Sequence, residues 1–256
     1  MKPDLSIIIP AYREENRLPS TMGKIQEFIN QNKLRVEVII VVEPSPDQTL
    51  KVAREWGEKI RDVKIIENPK RLGKGGAVRQ GILQANGEVV AFMDADGATD
   101  LSFFTEGYLW IVSGKTKVVI GSRGLKESKI LSMQPWHRRQ MGIIFRWLTR
   151  NVMGLPYMDT QCGAKVFHRE TIPYLFRPLQ EYGFAFDVEV LLRAKLAQIP
   201  VCELPCTWKD KDGSSVNPIN DGWIMLKTIF KLKTYYLFFR KEVPLFGSLQ
   251  LHKFAE

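Results

Sequence analysis

Asp94-Ala95-Asp96 follows the apolar run Val89-Val90-Ala91-Phe92-Met93, so two carboxylates stand at the carboxyl end of what reads as a buried strand. Open α/β sheets bind their ligands at that end. Residues i and i+2 of a strand share a face, and like charges so close are costly unless a cation or a proton neutralises one of them. A Mg²⁺ or Mn²⁺ ion that also bridges a diphosphate supplies that neutralisation. The plainer reading is an acidic turn capping the next helix. A second candidate is Leu72-Gly73-Lys74-Gly75-Gly76-Ala77, which sets glycines and a cation before a helix and so offers amide donors and a positive dipole end to a phosphate. The Gly-x-x-x-x-Gly-Lys-Ser/Thr spacing is absent, so it is not a Walker loop.

These groups need strands and helices to hold them. Leu5-Ser6-Ile7-Ile8-Ile9 has strand length and ends at Pro10-Ala11-Tyr12, a turn able to expose backbone groups and an aromatic ring to a base, with Glu14 close behind; residues 18–32 read as a helix. A second strand covers 36–42, including Val41, and is broken by Glu43-Pro44-Ser45-Pro46-Asp47. A helix at 48–57, a strand at 63–67, a helix at 75–87 and a strand at 88–93 follow; further strands are expected at 118–122 and 201–208, and a helix at 184–196. The alternation predicts an α/β fold with a largely parallel sheet and right-handed crossovers.

At 256 residues, 45% hydrophobic and 25% charged, the chain suits one large α/β domain with a C-terminal tail, divided at 1–216 and 217–256. It has no run of about 18 uncharged apolar residues, and Met1-Lys2-Pro3-Asp4 leads straight into a strand, which predicts a cytoplasmic protein. Cys162, Cys202 and Cys206 cannot all pair, and their spacing is poor for zinc, so they read as reduced thiols. The net charge of +9 suits nucleic acid, acidic lipid headgroups or phosphorylated substrates. A basic nucleic-acid-binding protein is the reading from another class, but no recognisable module supports it, and the acidic pair repels a phosphate backbone.

In order along the chain, Ser6-Ile7-Ile8-Ile9-Pro10-Ala11-Tyr12-Arg13-Glu14-Glu15, Gly73-Lys74-Gly75-Gly76-Ala77-Val78-Arg79-Gln80-Gly81, Asp94-Ala95-Asp96-Gly97-Ala98-Thr99, Gly121-Ser122-Arg123 and Asp159-Thr160-Gln161-Cys162-Gly163-Ala164-Lys165 resemble the nucleotide-sugar-dependent glycosyltransferases of family 2. With a weaker match near Ser214 the resemblance spans residues 5 to about 216. It implies the GT-A fold, a Rossmann-like sandwich, followed by amphipathic helices, and an inverting hexosyltransferase. It also implies donor contacts at Pro10, Ala11, Tyr12, Glu14, Val41, Glu43, Lys74, Arg79, Asp94, Ala95 and Asp96. Asp96 would hold Mg²⁺ or Mn²⁺, with Asp94 either joining it as a ligand or holding the ribose, and Asp96, Asp159 and Arg123 would be catalytic. The branch it most resembles loads polyprenyl or dolichyl phosphates, so glucose from UDP-glucose is the expected cargo. GDP-mannose as donor, or a saccharide or glycolipid hydroxyl as acceptor, are the alternatives. Ala98 stands where mannosyl relatives carry Gln, which favours glucose.

Asp159 sits where the family places its acceptor-side acid: it is a general base for a hydroxyl acceptor, and only an orienting group for a phosphate that is already anionic. Arg123, Arg138, Arg139 and Lys165 are the expected cations for the acceptor phosphate. Two departures stand out. Glu43 replaces an Asp-Asp-Gly-Ser-like sequence, and Ser215 replaces a lysine of the Gly-Ser-Lys loop, with Lys209 or Lys211 as substitutes. The stretches 136–148 and 223–239 mix aromatic, aliphatic and basic residues, a composition suited to helices lying in a membrane interface. The chain is thus expected to be peripheral on the cytosolic face of a membrane, with room for a separate membrane-anchoring partner.

Overall fold

The computed structural model describes residues 2–132, 136–211, 218–239 and 243–247. The chain runs β1 (Leu5–Ala11), α1 (Leu18–Gln31), β2 (Val36–Val42), α2 (Thr49–Lys59), β3 (Val63–Glu67), α3 (Lys74–Gln84), β4 (Val89–Met93) and α4 (Ser102–Val112). It continues through β5 (Val118–Ser122), β6 (Lys129–Ser132), α5 (Trp136–Asn151), β7 (Ala164–His168), α6 (Ile172–Leu175), α7 (Phe186–Leu196), β8 (Val201–Pro205), β9 (Thr207–Lys209) and α8 (Pro218–Phe239).

Seven strands form one sheet in the order β3-β2-β1-β4-β7-β5-β8. The β1, β2 and β4 runs are apolar on both faces because helices cover both sides of a parallel sheet. Ile8, Val41, Phe92 and Phe186 belong to one core, and Ile7, Ile9, Ala91 and Val166 to the other. From β1 the chain first moves outward to β2 and β3, then returns to β4 on the far side of β1. That reversal opens a crevice between the carboxyl ends of β1 and β4.

The antiparallel strand β7 pairs with both β4 and β5. Running backwards, it begins where β4 ends, so Met93 lies opposite Ala164 and the Asp94 amide donates to the Gly163 carbonyl at 3.0 Å. The single strand expected at 201–208 is two: β8 completes the large sheet, whereas β9 pairs with β6 and is tied to the acidic turn by Lys209 N–H to the Ala98 carbonyl at 2.9 Å.

α8 starts near the expected 216/217 division, yet it does not stand apart as a tail. Ile229, Leu232 and Tyr236, at helical spacing, join the core under α7. The Tyr236 hydroxyl donates to the buried Glu189 carboxylate and accepts from Arg193, both at 2.7 Å. Its other side is bare: Trp223 is 62% exposed and Phe238 74% exposed.

Candidate active site

Pro10, Ala11 and Tyr12 at the end of β1, and Asp94, Ala95 and Asp96 at the end of β4, line one crevice of about 150 Å³ together with Glu14, Glu43 and Lys74. The acidic turn is fixed by its own backbone: the Gly97 amide donates to the Asp94 carbonyl at 3.1 Å, and Gly97 has φ 60, a conformation in which a side chain is strained. Asp96 accepts from the Ala98 amide at 3.0 Å, and Thr21 of α1 donates to the Ala95 carbonyl at 2.8 Å.

Lys74, the first residue of α3, reaches into the crevice and lies 2.7 Å from Asp94. Burial alone would raise Asp94, but Lys74, with Lys165 and Arg123 farther off, holds it below the ordinary carboxylate value. Asp96 makes no ion pair among the described residues and is raised, first by burial and then by the charge of Asp94. Burial pushes Glu14 up to about 7 against the pull of Arg17, with Asp96 and Asp94 adding to the rise. Asp94, Asp96 and Glu14 present hard oxygen donors of the kind Mg²⁺ and Mn²⁺ take, in a crevice that Lys74, Arg17 and Arg71 also line. Among the described residues no three His, Cys, Asp or Glu side chains gather into a closed metal cage. Asp94 and Asp96, two carboxylates on one turn at the crevice, are the residues that would hold a divalent cation.

Glu43 is buried and accepts the Leu72 and Gly73 amides at 2.6 and 2.9 Å, so it braces the loop before α3 while its side chain borders the crevice. Arg71 on that loop stacks 3.8 Å from the Tyr12 ring centroid, an aromatic–cation platform that sequence reasoning did not single out.

Beyond Asp94 a larger cavity, about 790 Å³, opens between α5, α8 and the β6–β9 pair. Its walls are apolar, from Ile130, Ile143, Leu148, Trp208 and Leu226 among others. Asp159 and Arg123 form its polar end, joined by bonds of 2.6 and 3.0 Å from the guanidinium to the two carboxylate oxygens. Burial tends to raise Asp159, but this fork and the Arg123 amide keep it below the usual carboxylate range. Arg139 and Arg146 also line the cavity and make no ion pair among the described residues. Arg146, one of the basic residues of the 136–148 stretch, shares the Arg139 face of α5 seven residues on, and Trp208 lies 5.4 Å below the Arg123 guanidinium.

Four expectations are corrected by packing. Val41 is fully buried in the core beneath α3 and does not reach the crevice. Arg79 points away from it and donates to the Phe176 and Arg177 carbonyls at 2.8 Å, latching α3 to the next layer. Lys165 is fully buried, 2.7 Å from Asp187, and presents no charge to an acceptor phosphate. The phosphate cradle expected at the start of α3 is narrowed, since the Gly76 amide donates to the Tyr182 carbonyl at 3.1 Å. The side chain of Arg138 and the loop carrying Ser214 and Ser215 lie outside the described residues.

A crevice at the sheet's switch point, with a paired-acid turn on one side and a basic, apolar cavity on the other, defines a transferase site of the GT-A type. The chain belongs to glycosyl transferase family 2, whose model matches residues 6–176. It is 34% identical over 244 residues to a dolichyl-phosphate beta-glucosyltransferase of Dictyostelium discoideum, covering 91% of this chain and 75% of that protein. It is 33% identical over 245 residues to the Homo sapiens enzyme of the same name, covering 91% and 76%. The fold is shared with glucosyl-3-phosphoglycerate synthase from Mycobacterium tuberculosis, solved with Mn²⁺, UDP and phosphoglyceric acid, at TM-score 0.67 and 17% identity over 94% of this chain and 80% of that one. Mannosyl-3-phosphoglycerate synthase from Rubrobacter xylanophilus also has TM-score 0.67 and 17% identity, covering 99% and 78%.

Proposed function

We propose that the chain transfers glucose from UDP-glucose to the phosphate of a dolichol or other polyprenol, with inversion at the anomeric carbon. The observation that carries this reading is the Arg123–Asp159 fork at the polar end of an apolar cavity. A general base for a hydroxyl works best with a pKa near the operating pH. Asp159 is held below the carboxylate range, and both of its oxygens are engaged by Arg123. It suits an acceptor that arrives already deprotonated. Arg139 and Arg146, without an ion pair among the described residues, supply cations where a phosphate would sit, and the aliphatic walls suit the hydrocarbon behind it.

In this reading an acceptor phosphate oxygen attacks the anomeric carbon and the nucleoside diphosphate departs from the opposite face. Tyr12 and Arg71 border the space for the base, and Lys74 places a fixed positive charge beside the departing diphosphate. A divalent cation held by Asp96 and Asp94 would supply Lewis-acid stabilisation of that leaving group. Arg123 spans the two halves, paired with Asp159 and close enough to lower Asp94.

The same reading places the protein on the cytosolic face of a membrane. No described helix is long and apolar enough to cross one. Trp136 is 76% exposed and Trp147 60% exposed on α5, and with Trp223, Ile224 and Phe238 of α8 they bare aromatic and aliphatic surface beside Lys227, Lys231 and Lys233. Such surfaces rest in the headgroup region, where each cation adds about 1 kcal/mol against anionic lipid. The deciding experiment offers labelled UDP-glucose and, separately, GDP-mannose with polyprenyl phosphate, with and without Mg²⁺ or Mn²⁺, and counts label in the organic phase. Metal-dependent label from UDP-glucose supports the proposal. Label from GDP-mannose alone reassigns the donor, and transfer only to a saccharide hydroxyl overturns the acceptor.

A further inference from the structure

Lys165 and Asp187 form an ion pair with side chains 0% and 2% exposed. Replacing such a pair by apolar side chains is often neutral for stability, so stability is a weak reason for burying two charges here. Their contacts point to another role. The Lys165 ammonium donates to the Cys162 carbonyl at 2.7 Å, and Asp187, in the first turn of α7, fixes that ammonium at 2.7 Å. The carbonyl it grips precedes Gly163, which packs so closely on Asp94 that a Cβ there would lie 1.9 Å from a carboxylate oxygen. Asp94 is thus wedged between the Gly163 backbone on one side and the Lys74 ammonium on the other.

We infer that Lys165 and Asp187 are positioning residues of the donor site: together they clamp the Cys162–Gly163 turn, and the turn sets the place of the Asp94 carboxylate. Neither touches donor or acceptor. Without the clamp the turn relaxes and the Asp94 carboxylate, still paired with Lys74, loses its fixed place beside the diphosphate and its cation. The inference rests on the crevice being a nucleotide-diphosphate site, and its test separates the two.

The test measures UDP binding to the full chain by calorimetry, with and without Mn²⁺, alongside thermal melting, for the parent, K165M/D187L and Asp187→Asn. The double variant removes both charges together and is expected to melt close to the parent while its affinity for UDP with Mn²⁺ falls at least tenfold. Asp187→Asn retains volume and a hydrogen-bond acceptor but frees Lys165 to approach Asp94, and should show a loss of the same order should the double variant fail to fold. Parent-like affinity in a folded variant overturns the inference and leaves the crevice assignment standing. Failure of the parent itself to bind UDP overturns the crevice assignment, and the inference with it.

Discussion

Gly163→Ala tests how tightly the Asp94 carboxylate must be placed. Gly163 is not among the glycines with positive φ, so alanine is compatible with its backbone and the added methyl is the whole perturbation. That methyl would meet the Asp94 carboxylate oxygens at 1.9 and 2.7 Å and its carbon at 2.2 Å, where real contacts are essentially never under 3.0 Å. The nearer oxygen has to retreat by about 1 Å, and a 1 Å misplacement of a catalytic group costs about 100-fold in rate, or about 2.7 kcal/mol. The assay is kcat/KM for transfer of labelled glucose from UDP-glucose to polyprenyl phosphate, with melting temperature as the control for folding. Gly23→Ala, whose methyl would find only Trp56 at 3.9 Å, is the matched substitution and should leave the rate unchanged. A Gly163→Ala protein that is folded and turns over within threefold of the parent would refute the idea that this contact positions Asp94.

Asp96→Asn should lower transfer by at least 100-fold, the scale of removing one group that stabilises the leaving charge, and nucleotide binding should no longer respond to Mn²⁺ in a titration. Arg146→Met keeps the aliphatic volume on the cavity wall but removes the cation; the KM for acceptor should rise about tenfold with the KM for UDP-glucose unchanged in initial-rate kinetics. Tyr236→Phe leaves Glu189 and Arg193 each short of a partner and should cost about 1.5–3 kcal/mol in denaturant unfolding, with α8 the first helix to lose protection in hydrogen exchange. Asp159 is held below its ordinary value of 3.8, so its pairing with Arg123 stabilises the fold fully above that pH and ceases to do so as pH falls through the lower folded-state value. The difference in melting temperature between the parent and Asp159→Asn should accordingly be large at neutral pH and shrink in acid.

The donor half was legible in the sequence because local signals agree there. Apolar runs of strand length end in Pro10-Ala11-Tyr12 and Asp94-Ala95-Asp96, and parallel strands joined by helices must gather such ends along one rim. What escaped depended on partners distant in sequence. Lys165 reads as a cation for the acceptor phosphate until folding brings Asp187 against it, and its strand β7 is short, carries a charge and runs against its neighbours. α4 is hard to see in the sequence because Ser102-Phe103-Phe104 through Val112 is largely apolar, although Asp100 caps its start by accepting the Ser102 amide at 2.9 Å. Val41 illustrates the limit of reasoning from strand ends, because alternation sends its side chain to the core while the next loop serves the crevice. On the acceptor side the sequence offered many arginines with nothing to rank them. Packing ranks them, committing Arg123 to Asp159, turning Arg79 to backbone and leaving Arg139 and Arg146 in the cavity wall without an ion pair among the described residues.

The reversed direction of β7 has a consequence for how this architecture diversifies. A parallel strand in that place would have delivered its preceding loop to the opposite rim of the sheet. Because β7 runs backwards, the whole excursion from Arg123 to Gly163 leaves from and returns to the same rim, carrying β6, α5, Arg139, Arg146 and Asp159 with it. The excursion is anchored at β5 and β7 on one rim, and with β9 and α8 it walls the acceptor cavity beside the nucleotide half. A change of acceptor therefore has to recast this excursion together with the facing side chains of Trp208 and Leu226, while Gly163 and Lys165 keep the seam to the donor side.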